Sequence, residues 1–296
     1  MKNTLNYYYG LEVINIHQKD KIFYFKHDNY EYIFTQCNLD NIDKIYEISN
    51  KLNQMGVYCH QIILNNANQI ITKVNNENYV LMKIYVQKSK ITANDIINFN
   101  NISYLNDQSL KIAQWYDLWT EKIDYFEYQI SQIGKKYPLI RKSFSYYIGL
   151  AENAISLVKS VPNDNLYYSL GHRRITFKDS MQELYNPLNF IIDLRIRDIC
   201  EYFKSCFFNK INIQNDIIAY LNYNNLNYNE SCYFMARMLF PTYYFDTYEK
   251  IINNDIDEIK INNITSLSNE YEILLKTIYL QLRRNVNLPT LEWLIN

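Results

Sequence analysis

Apolar and polar positions recur with two different periods along this chain, and the change of period divides it. Residues 11–16, 22–26 and 30–36 are rich in β-branched and aromatic side chains and are separated by Asp20 and by Asp28-Asn29. That pattern predicts short strands joined by tight turns. From Leu39 the spacing becomes helical, with Leu39, Ile42, Ile45, Ile48, Leu52 and Met55 on one face, Asp40 near the start and Gly56 at the end. Strand spacing returns over 61–64, 69–74 and 79–85.

Beyond residue 90 the helical period dominates. Ile112, Trp115, Leu118, Trp119, Ile123, Phe126, Ile130 and Ile133 make one long apolar stripe that stops at Gly134. Pro138 then opens a helix running to Val158, a place in the first turn where proline's fixed backbone is tolerated. Further helices are expected over 196–208, 213–221, 230–239, 267–282 and 290–295, and 188–192 reads as an apolar strand leading into Asp193. Phe240-Pro241 ends a helix, because proline drives the residue before it out of helical geometry. The pattern thus predicts a β-rich part, residues 1–86, and a helical part, residues 87–296.

Composition narrows the classes. A chain of 296 residues with 48 % hydrophobic content can bury a substantial core and is not a disordered segment. Thirty basic against 31 acidic side chains leave a formal charge of −1, so no long-range field favours nucleic acid, and none is expected as a partner. No uninterrupted run of about 18 apolar residues occurs, which predicts no membrane span, and the start lacks the apolar segment of an export signal. The five cysteines, at 37, 59, 200, 206 and 232, form no Cys-x-x-Cys pair and are odd in number, as suits free thiols made in a reducing cytoplasm. Thirty tyrosines are read as the coding bias of an AT-rich genome.

The candidate chemistry lies in one stretch. Gly171-His172-Arg173-Arg174-Ile175 is followed, nineteen residues after Arg174, by Asp193 at the end of Phe190-Ile191-Ile192-Asp193, and then by Arg197-Asp198-Ile199-Cys200-Glu201. This tract resembles the catalytic loop, metal-ligand strand and following helix of aminoglycoside-phosphotransferase-like kinases. The resemblance implies an α+β, bilobal protein-kinase-like fold with a small β-rich N-lobe and a large, mostly helical C-lobe. It also implies ATP and magnesium as the cofactors of any active form. In such enzymes a small-lobe lysine holds phosphates, a loop aspartate receives the acceptor proton, a nearby asparagine and a second aspartate hold magnesium, and a glycine-rich turn covers the nucleotide.

Several of these parts are missing. Arg174 stands where the loop aspartate is expected, and Asp179 where the asparagine is expected. Residues 30–36 end without a lysine, and only Gly10 precedes them. Glu47, the helical partner such a lysine would take, reads as a solvated surface residue. A guanidinium stays protonated and offers no lone pair, so Arg174 cannot act as a general base. Losing that role costs roughly 10²- to 10⁴-fold in rate. Asp193 remains at the metal carboxylate's position, where pairing with Arg174 in place of magnesium would neutralise it; the alternative is that Asp193 ends its strand and caps the next helix. His172 is read as a loop histidine bonded to backbone, and Asp198 as a structural anchor of the loop. No Gly-x-Ser-x-Gly, His-Glu-x-x-His, Gly-x-Gly-x-x-Gly or phosphate loop points to another chemistry.

Four longer blocks, at 118–127, 143–155, 172–201 and 239–249, and the ending at 288–294, make the chain similar to the spore-coat kinase-like proteins of the YutH branch, related to CotS. That likeness implies association with the endospore coat on its mother-cell side, other coat proteins as partners, and a binding or scaffold role with impaired catalysis. Two alternatives stay open. One is a small-molecule phosphotransferase in which Asp193 holds magnesium and Asp179 or Glu183 serves as base. The other is nucleotide sensing without turnover, with His172, Arg173 and Arg174 gripping phosphates.

Overall fold

The structure is a computed structural model that describes residues 1–85, 88–102, 111, 114–162 and 165–295. The expected boundary at 86/87 and Ile112 of the long stripe lie outside the described residues. In chain order the elements begin with α1 (Lys2–Tyr9), β1 (Ile16–Lys19), β2 (Ile22–His27), β3 (Tyr30–Gln36), α2 (Ile42–Gln54), β4 (Gln61–Ile63), β5 (Thr72–Val74), β6 (Glu77–Ile84) and α3 (Ala93–Asn100). They continue with α4 (Trp115–Ile133), α5 (Pro138–Lys159), β7 (Tyr168–His172), α6 (Met181–Leu184), β8 (Phe190–Leu194) and α7 (Arg197–Phe208). The chain closes with α8 (Gln214–Tyr223), α9 (Tyr228–Leu239), α10 (Thr242–Ile252), α11 (Asn262–Thr265), α12 (Ser268–Leu282) and α13 (Glu292–Ile295). Two compact units result: Met1–Lys111 with Ser169–Asp193, and Ile112–Tyr168 with Leu194–Asn296.

The first unit is built on an antiparallel sheet in the order β1-β2-β3-β6-β4, with β5 also paired to β6. Tight turns set its register. Asp20 (φ 54°) joins β1 to β2, and Asp28 and Asn29 (φ 47° and 65°) join β2 to β3, left-handed conformations that short polar side chains tolerate and two-residue hairpins need. Tyr24 therefore stands opposite Ile33, and Ile33 opposite Met82. One sheet face gathers Phe23, Phe25, Tyr32, Phe34, Tyr79 and Leu81 into a core closed by Leu5 of α1. Phe34 and Tyr79 stack with centroids 4.9 Å apart. On α2, Ile42, Ile45, Ile48 and Leu52 are buried, as the helical spacing predicts, and this helix packs against β4. The helix stops where Gly56 takes φ 83°.

Two expectations are corrected here. Residues 11–15 do not form a strand; pairing with β2 falls instead to Ile16–Lys19, and Ile14 is 81 % exposed. A polar edge strand needs only backbone pairing on one side, so its side chains carry little hydrophobic signal. Helix α1 was not anticipated, since Leu5 is its only buried residue and Tyr7–Tyr9 carry β propensity.

The second unit is helical. Its α9 is buried at every position from Asn229 to Leu239 and packs against α5, α7 and α12. Aromatic contacts tie the helices: Trp115 stacks on Trp119 (5.2 Å), Trp119 on Phe240 (4.3 Å), Phe126 lies against Phe245 (4.9 Å), and Tyr147 stacks on Tyr244 (3.8 Å). Glu258 accepts from the Leu139 and Ile140 N–H groups (2.8 and 2.9 Å), satisfying donors that the first turn of α5 leaves free.

Charges are buried in this core. Lys204 of α7, 1 % exposed, contacts Glu201 (2.8 Å) and donates to the Arg237 carbonyl (3.0 Å) and the Thr242 hydroxyl (2.9 Å). Arg237 donates from Nε to the same Glu201 oxygen (2.7 Å) and lies over the Trp115 ring (4.8 Å). Burial alone would push the Glu201 carboxyl up; Arg237 and Lys204 more than offset it and hold the group well below the usual carboxylate range. A second pair is bidentate: Arg195 donates from Nε and Nη2 to Glu230 (2.5 and 2.8 Å). All five cysteines are free and buried. Among the described residues, no helix is long and apolar enough to cross a membrane.

Candidate functional site

The candidate loop belongs to the first unit and is held chiefly by backbone. Strand β7 ends on His172, which is buried; its Nε2 lies 2.7 Å from the Leu184 carbonyl oxygen, and its ring lies against Phe99 (4.7 Å) and Phe190 (5.7 Å). The Arg173 N–H donates to the Asn189 carbonyl (2.8 Å), and the Asn189 side-chain amide donates to the Arg174 carbonyl (3.0 Å). The loop's path is thereby clipped to the 3₁₀ turn Pro187–Asn189. Both arginines are exposed.

Asp179 accepts the Thr176 N–H (2.7 Å), while its own N–H donates to the Thr176 carbonyl (3.1 Å), so its carboxylate closes a local turn. Burial raises its carboxyl above the ordinary value against the lowering effect of Thr176. Glu183, the other candidate base, accepts the Ser180 N–H (3.0 Å) and hydroxyl in the capping box that starts α6.

Strand β8 is buried along its whole length, and Asp193, fourth of its five residues, is 5 % exposed. Helix α7 begins at Arg197 with Ile196 flanking it, so Asp193 does not cap that helix, which corrects the alternative reading. Asp198 lies in the second unit, in the first turn of α7; it is buried, with Arg197 Nη1 3.3 Å away.

Strand β3 contains no cation. The β1–β2 turn is Asp20-Lys21, without glycine. Glu47 pairs with Lys44 on the surface of α2 (3.0 Å). A cavity of about 910 Å³ in the first unit is lined by Tyr24, Phe25 and Ile84, by Lys26 and Lys88 and by the carboxylates Glu12, Asp28 and Glu31 among others, but not by Arg174, Asp179 or Asp193. Lys26 there is paired across the strands with Glu31 (3.2 Å). Among the described residues no group of three His, Cys, Asp or Glu side chains could hold a metal ion. A kinase's magnesium needs only one or two carboxylates beside the nucleotide's phosphates; the two carboxylates here are a buried Asp193 and an Asp179 held in a local turn.

Sequence reasoning passed over His60. It is wholly buried just before β4, its N–H donates to the Tyr185 carbonyl (3.0 Å), and among the described residues neither ring nitrogen has a hydrogen-bond partner. Burial pulls its imidazole down to about 4, opposed by Glu183 and by the backbone of Gln182. A histidine beside a short apolar strand was the only signal available.

Known proteins place this arrangement. Residues 2–278 match the family described as "Spore coat putative kinase YutH". The chain is 27 % identical over 157 residues to the endospore coat-associated protein YutH of Bacillus subtilis, a match covering 47 % of this chain and 46 %, about half, of that relative's length. An aminoglycoside phosphotransferase from Alicyclobacillus acidocaldarius superposes with a TM-score of 0.70 at 9 % identity, covering 92 % of this chain and 93 % of that one. A spectinomycin phosphotransferase solved with ADP and spectinomycin gives a TM-score of 0.65 at 12 % identity, covering 95 % and 97 %. At such identities the structural likeness establishes the fold, which is that of the aminoglycoside phosphotransferases. With the family match spanning nearly the whole sequence, the chain belongs to the spore-coat YutH family of kinase-like proteins.

Proposed function

We propose that this protein is a catalytically impaired, kinase-like component of the endospore coat that acts by binding other coat proteins. The observation that carries the proposal is Arg174, a permanently charged side chain at the position where the fold's phosphotransferases need a proton acceptor. The missing β3 lysine, the glycine-free hairpin and the turn-bound Asp179 support it. On this reading the Arg174 guanidinium compensates the buried Asp193 carboxylate, a role that magnesium has in an active kinase, because an inward carboxylate without a counter-charge is costly. Family membership and the coat-associated relative support a place on the mother-cell side of the coat after synthesis in the cytoplasm.

Nucleotide binding without turnover is the second reading, for which the cavity lined by Tyr24, Phe25 and Lys88 offers a space. A thermal-shift titration with ATP, with and without magnesium, followed by a phosphate-release assay, separates the readings. No shift supports the scaffold. A shift without phosphate release supports sensing. A magnesium-dependent shift with turnover that Asp193→Asn abolishes restores the enzyme.

A further inference from the structure

We propose that His60 is an acid-operated latch on the candidate loop: a proton added to its imidazole releases the turn at 181–185 from the start of β4, and with that turn the anchor of His172. The latch is a chain of contacts within the first unit. The His60 N–H holds the Tyr185 carbonyl (3.0 Å), and the neighbouring Leu184 carbonyl is the group against which His172 Nε2 rests (2.7 Å). The His60 imidazole is fully enclosed, and among the described residues neither of its nitrogens has a hydrogen-bond partner, an arrangement tolerable for a neutral ring and costly for a cation.

The groups around the ring do not rescue the charge. Glu183 of α6 and the backbone of Gln182 favour the proton, but burial outweighs both, and the Glu183 carboxylate is already held by Ser180. Burial raises the Cys59 thiol and the Tyr185 hydroxyl, so both are neutral in acid. From α2 the buried residues are Ile42, Ile45, Ile48, Ser49 and Leu52, none charged. On β6 the Lys83 ammonium sits over the Tyr30 ring (3.2 Å). The sign follows: a histidine whose folded-state pKa lies below its unfolded value contributes stability that is present above about 6.5 and is lost as the pH falls toward about 4. The inference is independent of whether the protein turns over ATP.

Amide hydrogen exchange on the full chain tests it, with rates corrected for their intrinsic pH dependence. The opening constant of the His60 amide should rise roughly 20-fold from pH 7 to pH 5 in the wild type and stay flat in His60→Leu. That variant loses no ring hydrogen bond and should be at least as stable at pH 7. An equal rise in both proteins overturns the proposal, as does an equal rise at the amides of α2 and β6, which would make the opening global. Should His60→Leu fail to fold, ring titration by NMR in the wild type decides: a midpoint well below 5 supports the latch, and one near 6.5 overturns it.

Discussion

The buried triad Glu201, Lys204 and Arg237 gives a quantitative test of how the helical unit is held. Glu201→Gln would remove the carboxylate that Lys204 and Arg237 share, beside an ammonium on a residue 1 % exposed. Removing one partner of a buried pair costs about 3–5 kcal/mol, which in a domain of 150–250 residues lowers the midpoint by roughly 6–20 °C. Lys204→Met keeps the Glu201–Arg237 contact (2.7 Å) but takes the donor from the Thr242 hydroxyl and the Arg237 carbonyl, at about 1–3 kcal/mol. The double variant removes one charge of each sign, so it should be less destabilised than the sum of the single variants by roughly 1–3 kcal/mol. Thermal and urea unfolding followed by tryptophan fluorescence reports this directly, because Arg237 lies over Trp115 and Trp119. Additivity within about 0.5 kcal/mol would refute the reasoning, since it would mean that the three groups do not share one electrostatic balance.

Other expectations follow from single contacts. Leu5→Ala should cost about 2–5 kcal/mol by opening the aromatic sheet face that α1 closes, measured by urea unfolding. Glu258→Ala should lower stability by about 1 kcal/mol, because two N–H groups of α5 lose their acceptor. Between pH 6.5 and 4 stability should fall by about 3 kcal/mol through His60. Glu201 adds to that fall only below about pH 5, where the unfolded chain begins to take up the proton that the folded carboxylate refuses, and most of its stabilisation is lost at still lower pH. An unfolding series over pH, run on wild type and His60→Leu, checks both statements.

Long elements with a buried face were legible in the residues, and those held by polar or backbone contacts were not. The helical stripe stopping at Gly134 and the Pro138 start correspond to α4 (Trp115–Ile133) and α5 (Pro138–Lys159), because side chains that must be buried repeat at the helical period. Strands β2 and β3 lie where their runs placed them, with the Asp and Asn turns between them. The edge strand β1 was displaced, since His17, Gln18 and Lys19 are exposed and their contribution is backbone pairing. Helix α3 carried a capping box, Thr92 with Asp95, that was not used, and α10 was not anticipated between Pro241 and Asn253. At the candidate site the residue types were readable, but the Asn189 clip on Arg173 and Arg174 and the enclosure of His60 depend on contacts distant in sequence.

The measurement that bears most directly on the account is ATP-dependent phosphate release by the full-length protein with magnesium, run beside Asp193→Asn. On the proposal that Arg174 replaces the proton acceptor, release should stay at the no-protein background in both proteins. Magnesium-dependent release by the wild type that Asp193→Asn removes would contradict the account and return the protein to the working phosphotransferases.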